Sequence, residues 1–477
     1  MQAQMRLRGV EDYRSTDLKS MSRLLSGYRK RDEDEVLYRL ETAMLHHYQG
    51  QWKRSAKHFE RAERAIDKNY TKSINRNLQA LLVNDLQLAY DGEAYEDIYL
   101  NVFNCLNYLH RHDTEGALVE ARRVTYKLGR LSDRYKGLAR TLTQRDTAQA
   151  ALKKMNEKMD GVDLISRGEV SPEIQQHSAL GRFLATTLYA KTNAPDDARI
   201  ELENLRTALA DQGRRNFLSV FGRREESGAP STVPERRASR EWALARALPT
   251  LFGEAYAVPG AEALLAPVDR DVSVPAARQL SQPDAYNTLL LSFTGRAPRK
   301  EERAFHIPLI IGGETLQLHF AVPVLKTPAS RVSRVRALAA GDTLSVPMIE
   351  DMQAVAHELF DQKKPIVYTR AVLRAILKAG ATEGVEALAD SSLSKGAGFL
   401  AEQVGNFMSA RAAQADTRGW QTMPGHAHAL VAKLPAGTHA VTFEFLSEQG
   451  RVLKRRSETV TVRGARDFAL AESVYLK

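Results

Sequence analysis

The sequence predicts an α+β chain of more than one domain, with helical repeats first and a mixed segment ending in β-structure last. Three observations predict it. At 477 residues the chain exceeds what one ordinary core accommodates. Residues 32–212 place apolar side chains at helical spacing, with turn residues between successive helices. Residues 428–477 alternate apolar and polar positions between turn signals, as half-buried strands do.

The helical grammar is clearest in LETAMLHHYQGQWKRSAKHFERAERAI, 40–66. Ala43 opens it, Gly50 marks the turn, and Trp52, Ser55, Phe59 and Ala62 follow at helical spacing. Small residues let two helices approach, the glycine permits the turn, and the aromatic fills the gap. A second copy, 101–124, has Tyr108 in its first helix and Ala117 and Ala121 in its second. A third, 180–205, turns at Asn193, Pro195 and Asp196. This spacing resembles a tetratricopeptide (TPR) repeat, in an irregular array. Repeats of this kind bury their apolar faces by stacking on one another. A long helix is expected from Tyr126 to about Asp160.

The grammar fails after Gly213. Residues 213–284 read as a linker rich in Gly, Pro, Ser and charge, with short helices. The organisation is thus an extension over 1–31, a TPR-like domain over 32–212, the linker, and a mixed domain over 285–477. In the last, NTLLLSF (287–293) reads as a strand. FHIPLII and TLQLHFAVPVL, joined at Gly312-Gly313, read as a hairpin whose Pro308 and Pro323 suit edge or bulged strands. Amphipathic helices are expected over 348–364, from Pro365, and over 399–415. The strands beyond Trp420 suggest an antiparallel, β-sandwich-like sheet.

Composition is globular: 43% hydrophobic, 26% charged, with a mean hydropathy of -0.38. Such a chain buries enough apolar surface to offset its ordering entropy. The net charge of +10 favours anionic partners. Arg214, Arg215, Arg223 and Arg224 form one cluster, Arg331, Arg334 and Arg336 another, and Lys454, Arg455 and Arg456 a third. Aromatics are not interleaved with them, so no nucleic-acid partner is expected. The single cysteine, Cys105, lies on an apolar helical face, where a buried thiol is expected. No apolar run reaches membrane-spanning length, and the first residues lack the apolar core of a signal peptide.

No P-loop, GxGxxG, HExxH, GxSxG or CxxC pattern is present, so the well-marked catalytic classes are excluded. No catalytic residue, metal ligand or cofactor is assigned. His46 and His47 are adjacent and point about 100° apart on a helix, which rules out chelation by that pair. Asp32, Glu33, Asp34 and Glu35 sit at a helix start, where they oppose the positive end of the dipole. The segment AQADTRGWQTMPG, 413–425, joins a helix to a strand. Its structural reading has Arg418 pairing locally and Trp420 plugging helix against sheet. Its functional reading makes Arg418 and Trp420 partner anchors. Tyr48, Tyr108 and Tyr189, in the first helices of the three copies, are the candidate groove residues.

GALVEARRV (116–124), HFAVPVLKTPASRVSRV (319–335), PIVYTRAVLRAILKA (365–379) and ADTRGWQTMP (415–424), in that order, resemble a family of uncharacterised bacterial TPR-containing lipoproteins. Members are often encoded beside lipoprotein activators of penicillin-binding proteins. The resemblance spans roughly residues 35–445. It implies a periplasmic or outer-membrane location, protein partners in the envelope, and a role near peptidoglycan synthesis, with no catalytic residues to carry over. This sequence has no lipobox cysteine near Met1, so membrane association would need a tether absent from it. The expected function is a non-catalytic scaffold or adaptor. The alternatives are a cell-wall or glycan-acting enzyme with a C-terminal site, and a basic module for an anionic polymer or membrane surface.

Overall fold

The computed structural model describes residues 2–10, 12–15, 18–29, 31–74, 86, 88–143, 178–205, 207–209, 286–311, 314–378 and 414–477. Helices come first: α1 (Gln2–Arg8), α2 (Leu18–Arg29), α3 (Glu35–Tyr48), α4 (Trp52–Ile74), α5 (Ala94–His110), α6 (Thr114–Thr143) and α7 (Ala179–Lys191), followed by a helical stretch over 195–205. Strands β1 (Thr288–Arg296), β2 (Arg299–Ile311), β3 (Glu314–Lys326), β4 (Arg334–Ala339), β5 (Asp342–Val346) and β6 (Met348–Asp351) come next. Helix α8 (Met352–Lys378) separates them from β7 (Pro424–Ala432), β8 (Gly437–Leu446), β9 (Val452–Val462) and β10 (Ala469–Tyr475). The chain is a mixed helical and sheet protein with N-terminal helices and C-terminal, mainly antiparallel sheets. The expected linker and the helix over 399–415 lie outside the described residues, apart from Gln414 and Ala415.

The helices form where the repeat grammar places them. α3 and α4 turn at Gly50, whose φ of 71° needs a residue without a Cβ penalty. The other two turns put His112 (φ 57°) and Asn193 (φ 59°) in the left-handed region. α6 runs unbroken to Thr143, through the start of the long helix expected there. α5 is buried nearly all round, as a helix enclosed by others must be. A capping box between Glu93 and Glu96 starts it.

Three sheets follow. The first has the order β10-β1-β7-β6, with β1 parallel to β10 and antiparallel to β7. β2 and β3 pair as a separate hairpin, and the third sheet has the order β5-β4-β8-β9. β1 explains the layering through the two-residue period of a strand. Leu289, Leu291 and Phe293 join the cluster formed with the helices, while Leu290 joins a second cluster with Val335, Phe443 and Phe445. The first sheet is therefore the middle layer, apolar on both faces, which is why TLLLSF reads as one continuous run.

Within residues 1–31, Leu7, Met21, Leu25 and Tyr28 sit in the same apolar cluster as α3–α7 and the first sheet. Other expectations change. Pro365 does not start a new helix but lies inside α8, and 348–351 form strand β6 rather than helix. β4 and β5 were not expected from the sequence. Their turn is Ala340-Gly341, both at positive φ (50° and 91°), and an alanine rarely signals that geometry.

Candidate functional site

Helices and strands meet along a polar seam built on buried carboxylates. Glu41 of α3 accepts from the backbone N–H of Gln421 (2.6 Å), the N–H of Thr422 (3.2 Å) and the Thr422 hydroxyl (2.6 Å). Glu96 of α5 accepts from Trp420 N–H (2.7 Å) and Tyr90 Oη (2.7 Å). Glu350 of β6 accepts from Tyr99 Oη, Ser178 Oγ and the N–H of Leu180 at the start of α7. Burial pushes Glu41 up to about 7, against three hydrogen bonds that favour its ionised form. Burial together with the neighbouring Glu93 pushes Glu96 up to about 6.

The five residues singled out by sequence divide in two. Trp420 is 3% exposed; its ring meets Phe59 and Phe103 edge-on at 5.9 Å, and its Nε1 donates to Thr422 Oγ1 (2.9 Å). Arg418, also buried, bridges Asp416 (2.8 Å) and Asp34 (3.3 Å) and stacks on Tyr90. Tyr48 is buried and donates to the carbonyl of Thr422 (2.8 Å). These three side chains are taken up inside the fold. Tyr108 and Tyr189 lie half-buried at its edge, beneath Arg111 (5.2 Å) and Arg122 (5.3 Å). The structure brings Tyr48, Arg418 and Trp420 to one seam and leaves the other two tyrosines on the helices.

A cleft of about 510 Å³ opens at one end of that seam. The α3–α4 turn, the end of α5, and strands β9 and β10 line it, and Arg14 and Glu458 pair at its rim. Glu472 of β10 bridges two histidines: His47 Nε2 to one oxygen (2.8 Å) and His110 Nε2 to the other (2.8 Å). His47 Nδ1 faces the side-chain Oδ1 of Asn107 at 2.9 Å, and Asn107 Nδ2 in turn donates to Ser55 Oγ. Both nitrogens of His47 thus face acceptor oxygens, a geometry that favours its charged form. Burial works against that charge, but the Glu472 carboxylate outweighs it and raises His47 above the usual histidine range. Burial likewise opposes ionised Glu472, yet His47 and His110 hold it well below the usual carboxylate range. Burial lowers His110, and Glu472 offsets this only in part. His110 Nε2 faces Glu472, and no described residue hydrogen-bonds its Nδ1. Trp52 stacks on the same ring at 3.8 Å, with the planes 3° apart.

Sequence reasoning missed this cluster because it compared histidines with their chain neighbours. Glu472 is 425 residues from His47. The available signals were acids set among apolar residues: Glu472 in ALAESVY, and Glu41 between Leu40 and Met44 on the buried side of α3. His426 and His428 follow the same lesson. His426 lies 3.8 Å from Asp351, and His428 lies 3.1 Å from Thr294 Oγ1, with burial lowering its pKa to about 3. Among the described residues no group of three or more His, Cys, Asp or Glu side chains is placed to hold a metal ion. No described helix is long and apolar enough to cross a membrane. Comparison with protein-family models, with curated proteins and with solved structures returned no match.

The cluster predicts a pH signature. Glu472, depressed when folded, contributes stability that is present above its unfolded pKa near 4.5 and lost as pH falls. His47, raised when folded, contributes below about 6.5 and loses that contribution as pH rises. Both contributions are complete between those values. Glu472→Gln is expected to cost about 3 kcal/mol at pH 6, because it leaves a buried histidine without the carboxylate that holds its proton. Below pH 4.5 the unaltered protein loses part of the Glu472 contribution, which the variant lacks. Urea unfolding of both proteins at pH 6 and pH 3.5 measures this, and a gap that does not change with pH refutes the ion-pair assignment.

Proposed function

We propose that this chain is a non-catalytic interaction scaffold or adaptor of the bacterial cell envelope, with α3–α4, α5–α6 and α7 with its following helix acting as TPR-type hairpins. The sheets, read as sandwich-like, form its second part. The observation that supports this most is the outer face of α6. Val119 (46% exposed) and Tyr126 (62% exposed) are seven residues apart, hence on one side of the helix. Arg122 lies between them and donates to Tyr189 Oη of α7 (3.1 Å), while Arg130 donates to Tyr126 Oη (2.6 Å). Exposed apolar and aromatic groups framed by arginine are the composition of interface anchors. The envelope location and the nearness to peptidoglycan synthesis rest on the family resemblance.

The test is crosslinking capture from the native envelope with the full chain. Val119→Asp combined with Tyr126→Ala is expected to abolish capture of a reproducible partner while leaving the unfolding midpoint within error. Capture that is equally strong with the double variant, or no reproducible partner for the unaltered chain, defeats the reading.

A further inference from the structure

α4 carries a one-sided line of charge. Lys53, Arg54, Lys57, Arg61, Arg64 and Lys68 fall within a wedge of ~100° on its wheel, opposite the core residues Phe59, Ala62 and Ile66. Five of the six are exposed and Arg61 is half-buried. The acids of the helix, Glu60, Glu63 and Asp67, line the adjoining flank, where Glu63 is taken by Lys127 and Arg123 of α6. None of the six cations forms an ion pair with a described residue. Arg54 reaches only the neutral side chain of Gln51 (3.1 Å).

This placement works against the fold. Like charges three and four residues apart repel each other. Lys53 and Arg54 occupy the first turn, at the positive end of the helix dipole, where an acid would be favoured and none is present. On the other flank lie His46 and His58, their rings 5.6 Å apart, each with a buried Nδ1 lacking a hydrogen-bond partner. Burial is the main reason His58 falls to about 4, and His46, Arg39, Arg61 and Lys57 lower it further.

We infer that the outer face of α4 docks an acidic segment of a protein partner. The inference rests on the scaffold reading and names the chemistry of one partner. The cations recur every three to four residues over about 22 Å, the repeat at which a second helix presents carboxylates. No aromatic side chain lies within the stripe for bases to stack on, and no large apolar one for insertion into a bilayer. Complementary charge of this kind sets association rate and specificity and is screened by salt.

The experiment uses full-length protein with poly-L-glutamate as probe, and phosphatidylglycerol vesicles as comparison, across 20–500 mM salt (roughly a Debye length of 20 down to 4 Å). Two triple variants accompany it: Lys57, Arg61 and Arg64 all changed to Gln, and all changed to Glu. The expected result is polyglutamate binding that weakens steeply with salt, falls at least tenfold in the Gln variant, and is lost in the Glu variant, with unfolding midpoints unchanged or raised. No polyglutamate binding at low salt, or equal binding by the variants, overturns the inference. Tighter binding to the vesicles than to polyglutamate also overturns it, in favour of a lipid surface. The α6 double variant is expected to bind polyglutamate normally. If envelope capture survives the α4 changes but not the α6 changes, the scaffold reading stands and this docking face falls.

Discussion

Trp420→Ala is expected to lower the free energy of unfolding by about 3–5 kcal/mol, the range for deleting a large aromatic from a packed core. The indole lies between Phe59 of α4 and Phe103 of α5, and Phe103 also packs on Phe293 of β1 at 5.1 Å. Truncation therefore opens a cavity where helices, the 414–423 segment and the middle sheet meet. It also removes the Nε1 donor to Thr422 Oγ1, whose hydroxyl keeps its bond to Glu41. Denaturant unfolding followed by both helical and aromatic circular dichroism checks this. A loss below about 1 kcal/mol, the usual range for exposed sites, would show that the ring is not a core element.

Arg418→Met is the second large effect, expected at about 3–5 kcal/mol. Methionine keeps much of the side-chain volume but leaves buried Asp34 and half-buried Asp416 without their cation. It also removes the donor to the carbonyl of Leu88 (3.1 Å) and the guanidinium over Tyr90. Burial alone would raise Asp416, yet Arg418 pulls it down to about 2, so its pKa should climb once the arginine is gone. Adding Asp416→Asn should recover part of the loss, because one stranded charge is removed. A double-mutant cycle measures that coupling, and strict additivity would refute the pairing.

What the sequence made legible was local. The α3–α4 hairpin is written in the spacing of Ala43, Gly50, Trp52 and Phe59, all within one turn-and-helix unit. β7 to β10 are likewise written in alternation and turns, and Arg418 pairing with Asp416 needed only a two-residue reach. The rest depended on contacts distant in the chain. Asp34 looked like a helix-start acid, and its further role with Arg418 spans 384 residues. His47 and His110 looked unrelated until β10 placed Glu472 between them. Pro365 was misread because proline usually breaks a helix. The α4 stripe was missed for a different reason. Its cations are interrupted in sequence by Ala62, Glu63 and Ala65, and gather only when the helix is wound.

The parallel pairing of β1 with β10 has a consequence for biosynthesis. β10 is the last described strand in chain order, yet Thr288 through Thr294 of β1 take their hydrogen-bond partners from it. The helices emerge from the ribosome first and must wait with His47 and His110 facing a carboxylate that has not yet been made. Domains generally fold from their N-terminal end during synthesis. Here the early helices acquire Glu472, and β1 its parallel neighbour, only after β10 has been made.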